Sequence, residues 1–290
     1  MKKTEPALWG ADRKVCDDAA QYPEYTLGRI LSQEKDLYRM ITAEGEYLAK
    51  VSGKFRYQAA HPSDFPAVGD FVMAGKTGEG TQAVIHQVLP RKSVFMRKAA
   101  GSDRKEQLVA TNIDIVFLCM ALNQDFNVRR LERYLSIAWD SGAKPVVVLT
   151  KSDICEDIEE KLLAVQEAAP GVRIIKTTAL ETTGIEEILP YLSAGTTAAF
   201  LGSSGVGKST LLTDYWEKNV LQRVVLGMTI KGGIQRRIGN CCFYRMAGWS
   251  LIHRECVNLA CGMRKAVSTV LFWILKNWYC NAVFAIVRIR

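Results

Sequence analysis

Residues 25–95 alternate short apolar runs with polar or glycine-bearing connections. Runs of this kind, bounded by turn residues, are typical of β-strands. They fall at residues 26–31, 37–42, 46–51, 69–74 and 83–89. Five such strands predict a small closed all-β barrel, of which the oligonucleotide-binding (OB) type is one. We assign the barrel to residues 25–95 and treat residues 1–24 as an N-terminal tail.

Aromatic residues within this region have two interpretations. They fill the barrel core, or they form a surface on which nucleic-acid bases stack. The residues concerned are Tyr38, Tyr47, Phe55, Tyr57 and Phe71. No stacking platform can be placed from their positions, so we expect them in the core.

After residue 90 the pattern changes. A basic stretch at 91–105 is interpreted as a linker or a solvated loop. Apolar runs of buried-strand type then alternate with runs of helical spacing. The predicted strands are 113–120, 145–149, 172–176 and 197–201, and the predicted helices are 127–141, 158–169 and 185–192. This alternation predicts an α/β fold with a parallel sheet covered on both faces, an architecture that commonly binds nucleotides.

Composition limits the class of protein, and it changes abruptly near the end of the chain. A chain of 290 residues suits two or three domains, and 48% hydrophobic with 23% charged residues excludes a largely disordered protein. The N-terminus has no apolar core of signal-peptide length, so we expect a cytoplasmic protein with reduced thiols.

The change in composition lies near residue 218. Residues 218–290 hold 12 of the 38 Lys and Arg residues, but only Glu255 of the 30 acidic ones. They also hold five of the eight cysteines and three of the six tryptophans. The formal net charge of +8 therefore comes from this segment, and the rest of the chain has a small excess of acid.

A glycine-rich loop follows the last predicted strand and fits the P-loop pattern. It comprises Gly202, Ser203, Ser204, Gly205, Val206, Gly207, Lys208, Ser209 and Thr210. Glycines let successive backbone N–H groups point inward, and the start of a helix adds its positive end, which together cradle phosphates. Lys208 would reach the β- and γ-phosphates and Ser209 would offer its hydroxyl to Mg²⁺. The alternative, a glycine turn that binds nothing, is disfavoured by the strand before it and the helix after it.

A second motif, at the end of the strand 145–149, fits the guanine-specificity pattern of GTPases. It comprises Thr150, Lys151, Ser152 and Asp153. A carboxylate at Asp153 can accept hydrogen bonds from the guanine N1–H and amino group, whereas adenine would leave it unpaired in a partly buried site. Lys151 would lie along the base.

A third element, Thr178 and Ala179, follows the next strand, where GTPases have a second base-contacting loop. The order of the three elements is unusual, because the guanine motif precedes the phosphate loop. The sequence therefore predicts a circularly permuted domain, which chain termini at the surface make tolerable.

These features resemble the small ribosomal subunit biogenesis GTPase family RsgA, from about residue 25 to about residue 214. The resemblance rests on residues 110–135, 145–153 and 202–210 in this order after a barrel. It implies a partial permuted GTPase domain at 96–217, GTP and GDP as ligands, Mg²⁺, a C-terminal zinc domain, and GTP hydrolysis stimulated by the 30S subunit and its 16S rRNA in late maturation. The phosphates would be held by Gly205, Gly207 and Lys208. We expect a monomer that does not bind membranes.

The resemblance stops near residue 222. In the printed reading frame, three features of the family are absent, namely the KGRHTTT switch, the DTPG motif and the zinc-binding Cys/His cluster. Catalytic residues therefore cannot be assigned. We hypothesise a shifted reading frame starting within 222–227. When the last base of each codon joins the first two of the next, residues 230–241 permit KGRHTTTHREL, residues 251–259 permit DTPGMREL, and residues 281–289 permit CRFRDCTH. Residues 218–290 are then an aberrant tail in place of the switch and zinc regions.

Two other interpretations of the tail remain. His253, Cys256 and Cys261 offer zinc ligands but lack a fourth ligand and a standard spacing. Residues 266–287 are long enough to span a membrane, but Lys276, Asn277 and Asn281 would be costly at its centre, so an exposed adhesive segment is favoured.

Two rival functions also remain open. The barrel alone would make a non-catalytic RNA-binding protein, and the phosphate loop alone would fit an ATP-using kinase.

The frame hypothesis predicts a frame change in the gene between codons 220 and 230. Nucleotide sequencing of the gene is expected to find a continuous family-like frame beyond that point. An uninterrupted frame in the printed register, confirmed by the intact mass of the native protein, would contradict it.

Overall fold

The computed structural model describes residues 5–78, 80–98, 106–178, 183–193, 195–203, 205–208, 211, 245–246, 249–250, 273–277 and 282–288. Residues 5–24, for which the sequence predicts no element, form a 3-10 turn at Pro6–Trp9 and helix α1 at Arg13–Ala19. The Asp12 side chain caps α1 by accepting a hydrogen bond from the backbone N of Val15 at 2.9 Å. The Trp9 ring is fully buried 6.2 Å from the Phe71 ring, so this segment packs against the barrel.

The predicted barrel is confirmed. Its strands are β1 (Thr26–Glu34), β2 (Leu37–Thr42), β3 (Gly45–Val51), β4 (Phe71–Lys76) and β5 (Gln82–Val88). They close in the order β1-β2-β3-β5-β4, with β3 and β5 parallel and the other pairs antiparallel. Helix α2 (Gly53–Gln58) lies between β3 and β4 and is capped by the Ser52 hydroxyl.

The aromatic residues of the barrel divide between core and surface. Tyr38 is buried in the barrel core, and Tyr47 and Phe55 are half-buried against that core, as expected. Phe71 is also buried, but in a second cluster that it forms with Trp9 of the N-terminal segment. Tyr57 was expected in the core, but its side chain is 93% exposed because it lies on the outer side of α2.

An antiparallel ribbon occupies the stretch that the sequence presents as a linker or solvated loop. Its strands are β6 (Val94–Lys98) and β7 (Glu106–Thr111). Phe95 in β6 is buried in the core of the following sheet. The basic composition of the stretch obscured this strand, although Val94 and Phe95 are strand-favouring residues.

The α/β region follows the ribbon. It contains β8 (Ile115–Ala121), α3 (Val128–Ser141), β9 (Lys144–Thr150), α4 (Ile158–Ala168), β10 (Arg173–Lys176), α5 (Thr183–Ile188) and β11 (Thr197–Ser203). The four strands are parallel in the order β10-β9-β8-β11. Alternate residues of β8 enter two apolar clusters, one with α3 and α4 and the other with α5, which explains why β8 is apolar throughout.

The tail adds four described strands, β12 (Arg245–Met246), β13 (Trp249–Ser250), β14 (Trp273–Asn277) and β15 (Ala282–Arg288). Strand β15 runs antiparallel beside β11, and β14 runs antiparallel beside β15, so the sheet is mixed rather than wholly parallel. Half of the run 266–287, for which a membrane span and an exposed segment were the alternatives, lies in these two strands, and the other half lies outside the described residues. Among the described residues, no helix has the length and apolar character needed to cross a membrane.

A buried guanidinium joins the barrel to the α/β region. Arg29 in β1 donates to the backbone oxygens of Gly69 at 3.0 Å, Trp9 at 2.8 Å and Asn112 at 3.1 Å. Burial lowers the pKa of Arg29 to about 10. These bonds hold together the N-terminal segment, the barrel and the connection between β7 and β8, to which Asn112 belongs.

Asp70 forms a second polar contact at this junction. Its fully buried carboxylate accepts from the Arg91 guanidinium at 2.8 and 2.7 Å and from the Thr111 hydroxyl at 2.6 Å. Each of these donors compensates part of the buried negative charge of Asp70. The loss of any one of them would leave that charge less compensated, so the arrangement of the donors around the carboxylate is fixed.

Replacing Asp70 by Asn should destabilise the chain, because the Arg91 guanidinium loses its counter-charge in a mostly buried position. We expect a loss of about 3 kcal/mol in the free energy of unfolding, measured by denaturant titration.

Asp36→Asn is the matched control. Asp36 pairs with Arg56 at 3.4 Å, but these side chains are 76% and 54% exposed, so the variant should lie within about 0.5 kcal/mol of the parent. Equal losses in the two variants would contradict the assigned role of Asp70.

Candidate functional site

The carboxyl edge of the sheet brings the two sequence motifs together. Strands β9 and β11 lie on either side of β8, and each motif begins where its strand ends. The Thr150 hydroxyl, at the end of β9, donates to the backbone oxygen of Val206 in the glycine-rich loop. Thr150 is buried, so this hydrogen bond is shielded from water. The two motifs are therefore one site, although they lie far apart in the chain.

The glycine-rich loop has the backbone that its sequence predicts. Gly205 and Gly207 have φ angles of 77° and 101°, which a side chain would strain. Lys208 begins a helical turn, and the N–H of Leu211 donates to the oxygen of Gly207 at 3.0 Å. The loop thus passes from β11 into a helix start, the geometry that binds anions at backbone N–H groups.

Lys208 is a buried cation in this loop. Its ammonium donates to the backbone oxygens of Gly202 at 2.8 Å and Ser203 at 2.6 Å, and the residue is 7% exposed. Burial lowers its pKa to about 8. The neighbouring Cys119 provides no counter-charge, because burial raises the pKa of its thiol to about 12 and keeps it neutral. A bound anion would supply the missing charge.

The guanine-type motif forms a 3-10 turn after β9. Lys151 has a φ of 59°, which reverses the chain direction, and the turn spans Ser152–Ile154. The Ser152 hydroxyl donates to the oxygen of Thr177 at 3.2 Å, and the Thr178 hydroxyl donates to Asp153 at 2.6 Å. The loop after β10 is thereby joined to the motif after β9, as their order in the sheet predicts.

One expectation about this motif is wrong. The sequence predicts a partly buried carboxylate at Asp153, whereas Asp153 is exposed. Asp153 is exposed because it lies in the 3-10 turn that follows β9, outside the buried part of the sheet. One carboxylate oxygen of Asp153 is engaged by Thr178, and the group faces solvent beside the joined loops.

Several expected site residues lie outside the described residues, namely Ala179, Ser204, Ser209 and Thr210. His253, Cys256 and Cys261, considered as zinc ligands, also lie outside them. Within the described part of the chain, no group of three or more His, Cys, Asp or Glu side chains could hold a metal ion.

Arg130 belongs to neither sequence motif, but the structure brings it to the same site. Arg130 lies in the first turn of α3, and its guanidinium is 3.4 Å from the hydroxyl oxygen of Ser203. A signal was available, because Arg129 and Arg130 occupy the start of a helix, where the helix dipole disfavours cations.

These residues form an anion site beside a carboxylate. The loop offers a buried ammonium at the start of a helical turn, which suits a polyphosphate. Asp153 offers an acceptor suited to a ring with adjacent N–H donors. Together they fit a ligand that carries a phosphate chain on one end and a donor-rich base on the other.

The low pKa of Lys208 has a measurable consequence. In dimethyl-lysine NMR, one resonance should titrate near pH 8, well below the other lysines, and should be missing in Lys208→Arg. Pyrophosphate should raise this pKa, because an anion stabilises the charged form. A Lys208 resonance that titrates with the other lysines, or ignores pyrophosphate, would contradict the assignment.

Comparison with known proteins finds a matching family and similar chains. The family model for RsgA GTPase matches residues 88–227. The chain is 48% identical over 213 residues to the small ribosomal subunit biogenesis GTPase RsgA 2 of Lactiplantibacillus plantarum, covering 73% of this chain and 60% of the relative. It is 41% identical over 185 residues to RsgA 1 of Listeria innocua, covering 64% and 51% of the two chains. The chain thus spans about half to three fifths of the length of these relatives.

Solved structures agree in fold. The crystal structure of YjeQ from Thermotoga maritima matches with a TM-score of 0.53 and 29% identity, covering 66% of this chain and 64% of that one. YloQ, described as a circularly permuted GTPase, matches with a TM-score of 0.50 and 22% identity over the same shares. The barrel, the permuted order of the two motifs and these likenesses lead to one conclusion: the chain belongs to the RsgA GTPase family.

Proposed function

We propose that this chain derives from a ribosome-associated GTPase and binds guanine nucleotides at the carboxyl edge of its sheet. Thr150, Lys151, Ser152 and Asp153, with Thr178 and Ala179, hold the base. The loop from Gly202 to Thr210 holds the phosphates. The observation that carries the proposal is the hydrogen bond from Thr150 to Val206, because it joins a base-selecting motif to a phosphate loop.

Mg²⁺ fits this site in one respect. Ser209 follows Lys208 directly in the sequence, and a hydroxyl oxygen suits this hard cation. When bound, Mg²⁺ would neutralise charge on the β- and γ-phosphate oxygens. A zinc site is not supported, because the described residues provide no ligand cluster and the tail sequence has no standard spacing.

We assign the domains as barrel at 25–95, partial GTPase domain at 96–217 and aberrant tail at 218–290, after an N-terminal segment at 1–24. The family match ends at residue 227, at the end of the segment where the frame hypothesis starts the shift. Switch residues that position water for attack on the γ-phosphate would belong to the replaced region. The chain is therefore expected to bind guanine nucleotide weakly and to hydrolyse GTP little.

The partner proposed is the 30S subunit through its 16S rRNA, in late maturation and in the cytoplasm, with the chain acting as a monomer. Two relatives are named for small ribosomal subunit biogenesis, which supports the 30S subunit as partner. RNA recognition by the barrel and the monomeric state rest on the family resemblance alone.

Base selection tests the proposal. Calorimetry with GDP and ADP should give a clear preference for GDP in the parent chain. Asp153→Asn should weaken GDP binding about tenfold or more and leave ADP binding unchanged, because only guanine presents an adjacent N1–H and amino group to the carboxylate. Lys208→Ala should abolish binding of both nucleotides.

Asp157→Asn is the matched control, because Asp157 is an exposed residue close to Asp153 that caps α4 without a side-chain hydrogen bond. It should leave both affinities unchanged. A parent chain that prefers ADP, with no effect of Asp153→Asn, would favour the kinase alternative. RNA binding without any nucleotide binding would favour the RNA-binding alternative. GTP turnover equal to that of an intact relative, lost in Lys208→Ala, would contradict the impaired hydrolysis.

A further inference from the structure

Arg130 is a cation at the phosphate loop that the sequence motifs do not include. It is the third residue of α3 (Val128–Ser141), and its backbone N donates to the Asn127 side chain at 3.0 Å. This cap fixes the first turn of α3, from which the half-buried Arg130 side chain extends. Helix α3 follows β8, the strand that lies between β9 and β11, so its first turn lies at the carboxyl edge of the sheet.

The contact of Arg130 leaves its charge unbalanced. Its guanidinium reaches the Ser203 hydroxyl at 3.4 Å, which is a long hydrogen bond to a neutral group. Among the described residues, the ion pairs involve other arginines and lysines, and none involves Arg130. A guanidinium has five N–H donors, so most of its capacity is unused by this contact. The dipole of α3 adds further positive potential at the same place.

Two cations meet Ser203 from opposite sides. Lys208 donates to the backbone oxygen of Ser203 at 2.6 Å, and Arg130 approaches the side chain of the same residue. Val206 and Leu211, which flank Lys208 in the chain, pack on the α5 face of the sheet, whereas α3 packs on the other face. The start of the phosphate loop is therefore flanked by positive charge from both faces of the sheet.

The direction of the loop indicates which phosphate Arg130 would meet. The Val206 end of the loop is tied to Thr150, hence to the base-selecting motif. The Ser203 end is the one that Arg130 contacts. A nucleotide whose base lies at Asp153 would extend its phosphate chain from the Val206 end toward the Ser203 end. The terminal phosphate would then lie beside Arg130.

We propose that Arg130 binds the terminal phosphate of a nucleoside triphosphate and so distinguishes triphosphate from diphosphate. This inference rests on the proposed function. Guanidinium suits this task, because it stays charged and forms paired hydrogen bonds to phosphate oxygens. It also gives the chain a γ-phosphate contact that does not depend on the replaced switch region.

The test compares the affinities of the full chain for GDP and for a non-hydrolysable GTP analogue by calorimetry with Mg²⁺ present. Arg130→Gln should weaken analogue binding about tenfold and leave GDP binding unchanged, because it removes charge-assisted hydrogen bonds to the terminal phosphate alone. Arg129→Gln is the matched control, with the same charge change on an exposed neighbour in α3, and should change neither affinity.

Arg130→Lys separates phosphate binding from a structural role, because it keeps the positive charge that Arg130→Gln removes. If Arg130 acts on the phosphate through its charge, Arg130→Lys keeps more of the parent's ratio of analogue to GDP affinity than Arg130→Gln does. If the two variants lose that ratio alike, the contact merely shapes the loop and the inference is wrong. Equal weakening of both ligands by Arg130→Gln, or no weakening, would also overturn it. Failure of the proposed function would look different, because the parent chain would then bind neither nucleotide.

Discussion

The hydrogen bond from the Thr150 hydroxyl to the Val206 carbonyl is the contact on which the site depends. It links loops that follow β9 and β11, two strands that a third strand separates. Parallel strands end at a common edge, so the loops meet whichever of them comes first in the chain. Circular permutation therefore changes the order of the motifs without changing the site. The buried position of Thr150 makes this joint stiff, because water cannot compete for the bond.

The amino edge of the sheet, opposite the two loops, contacts the barrel. Asp114, before β8, accepts from the backbone N of Thr197 at 2.8 Å and so ties the start of β8 to that of β11. Arg29 of barrel strand β1 reaches Asn112, two residues before Asp114. The barrel is thus fixed to the amino edge while the loops occupy the carboxyl edge. Strand β8, with seven residues, separates the two edges by roughly 20 Å, so the barrel contacts lie far from the two loops.

Sequence patterns predicted the features that depend on residues close together in the chain. Period-two runs predicted the barrel strands, and glycines at fixed offsets predicted the loop at Gly205 and Gly207. Contacts between distant residues left no such signal. The burial of Trp9, the ribbon strand around Phe95 and the approach of Arg130 to Ser203 depend on how elements pack. The exposure of Asp153 likewise depends on where the turn leaves the sheet. Motif chemistry is local, whereas burial is a property of the assembled fold.

The direction of β15 bears on hydrolysis. It pairs with β11 in antiparallel register, with Ala282 opposite Ser203 and Arg288 opposite Thr197. A parallel strand here would end at the carboxyl edge, so the residues after it could reach the phosphates. Strand β15 instead begins at that edge and runs away from it. Since Glu255 is the one acidic residue after position 217, the tail has almost no carboxylate to place there in any arrangement. In the proposed function, nucleotide binding and hydrolysis are therefore separable, because the first would use residues before position 218 and the second would need residues beyond it.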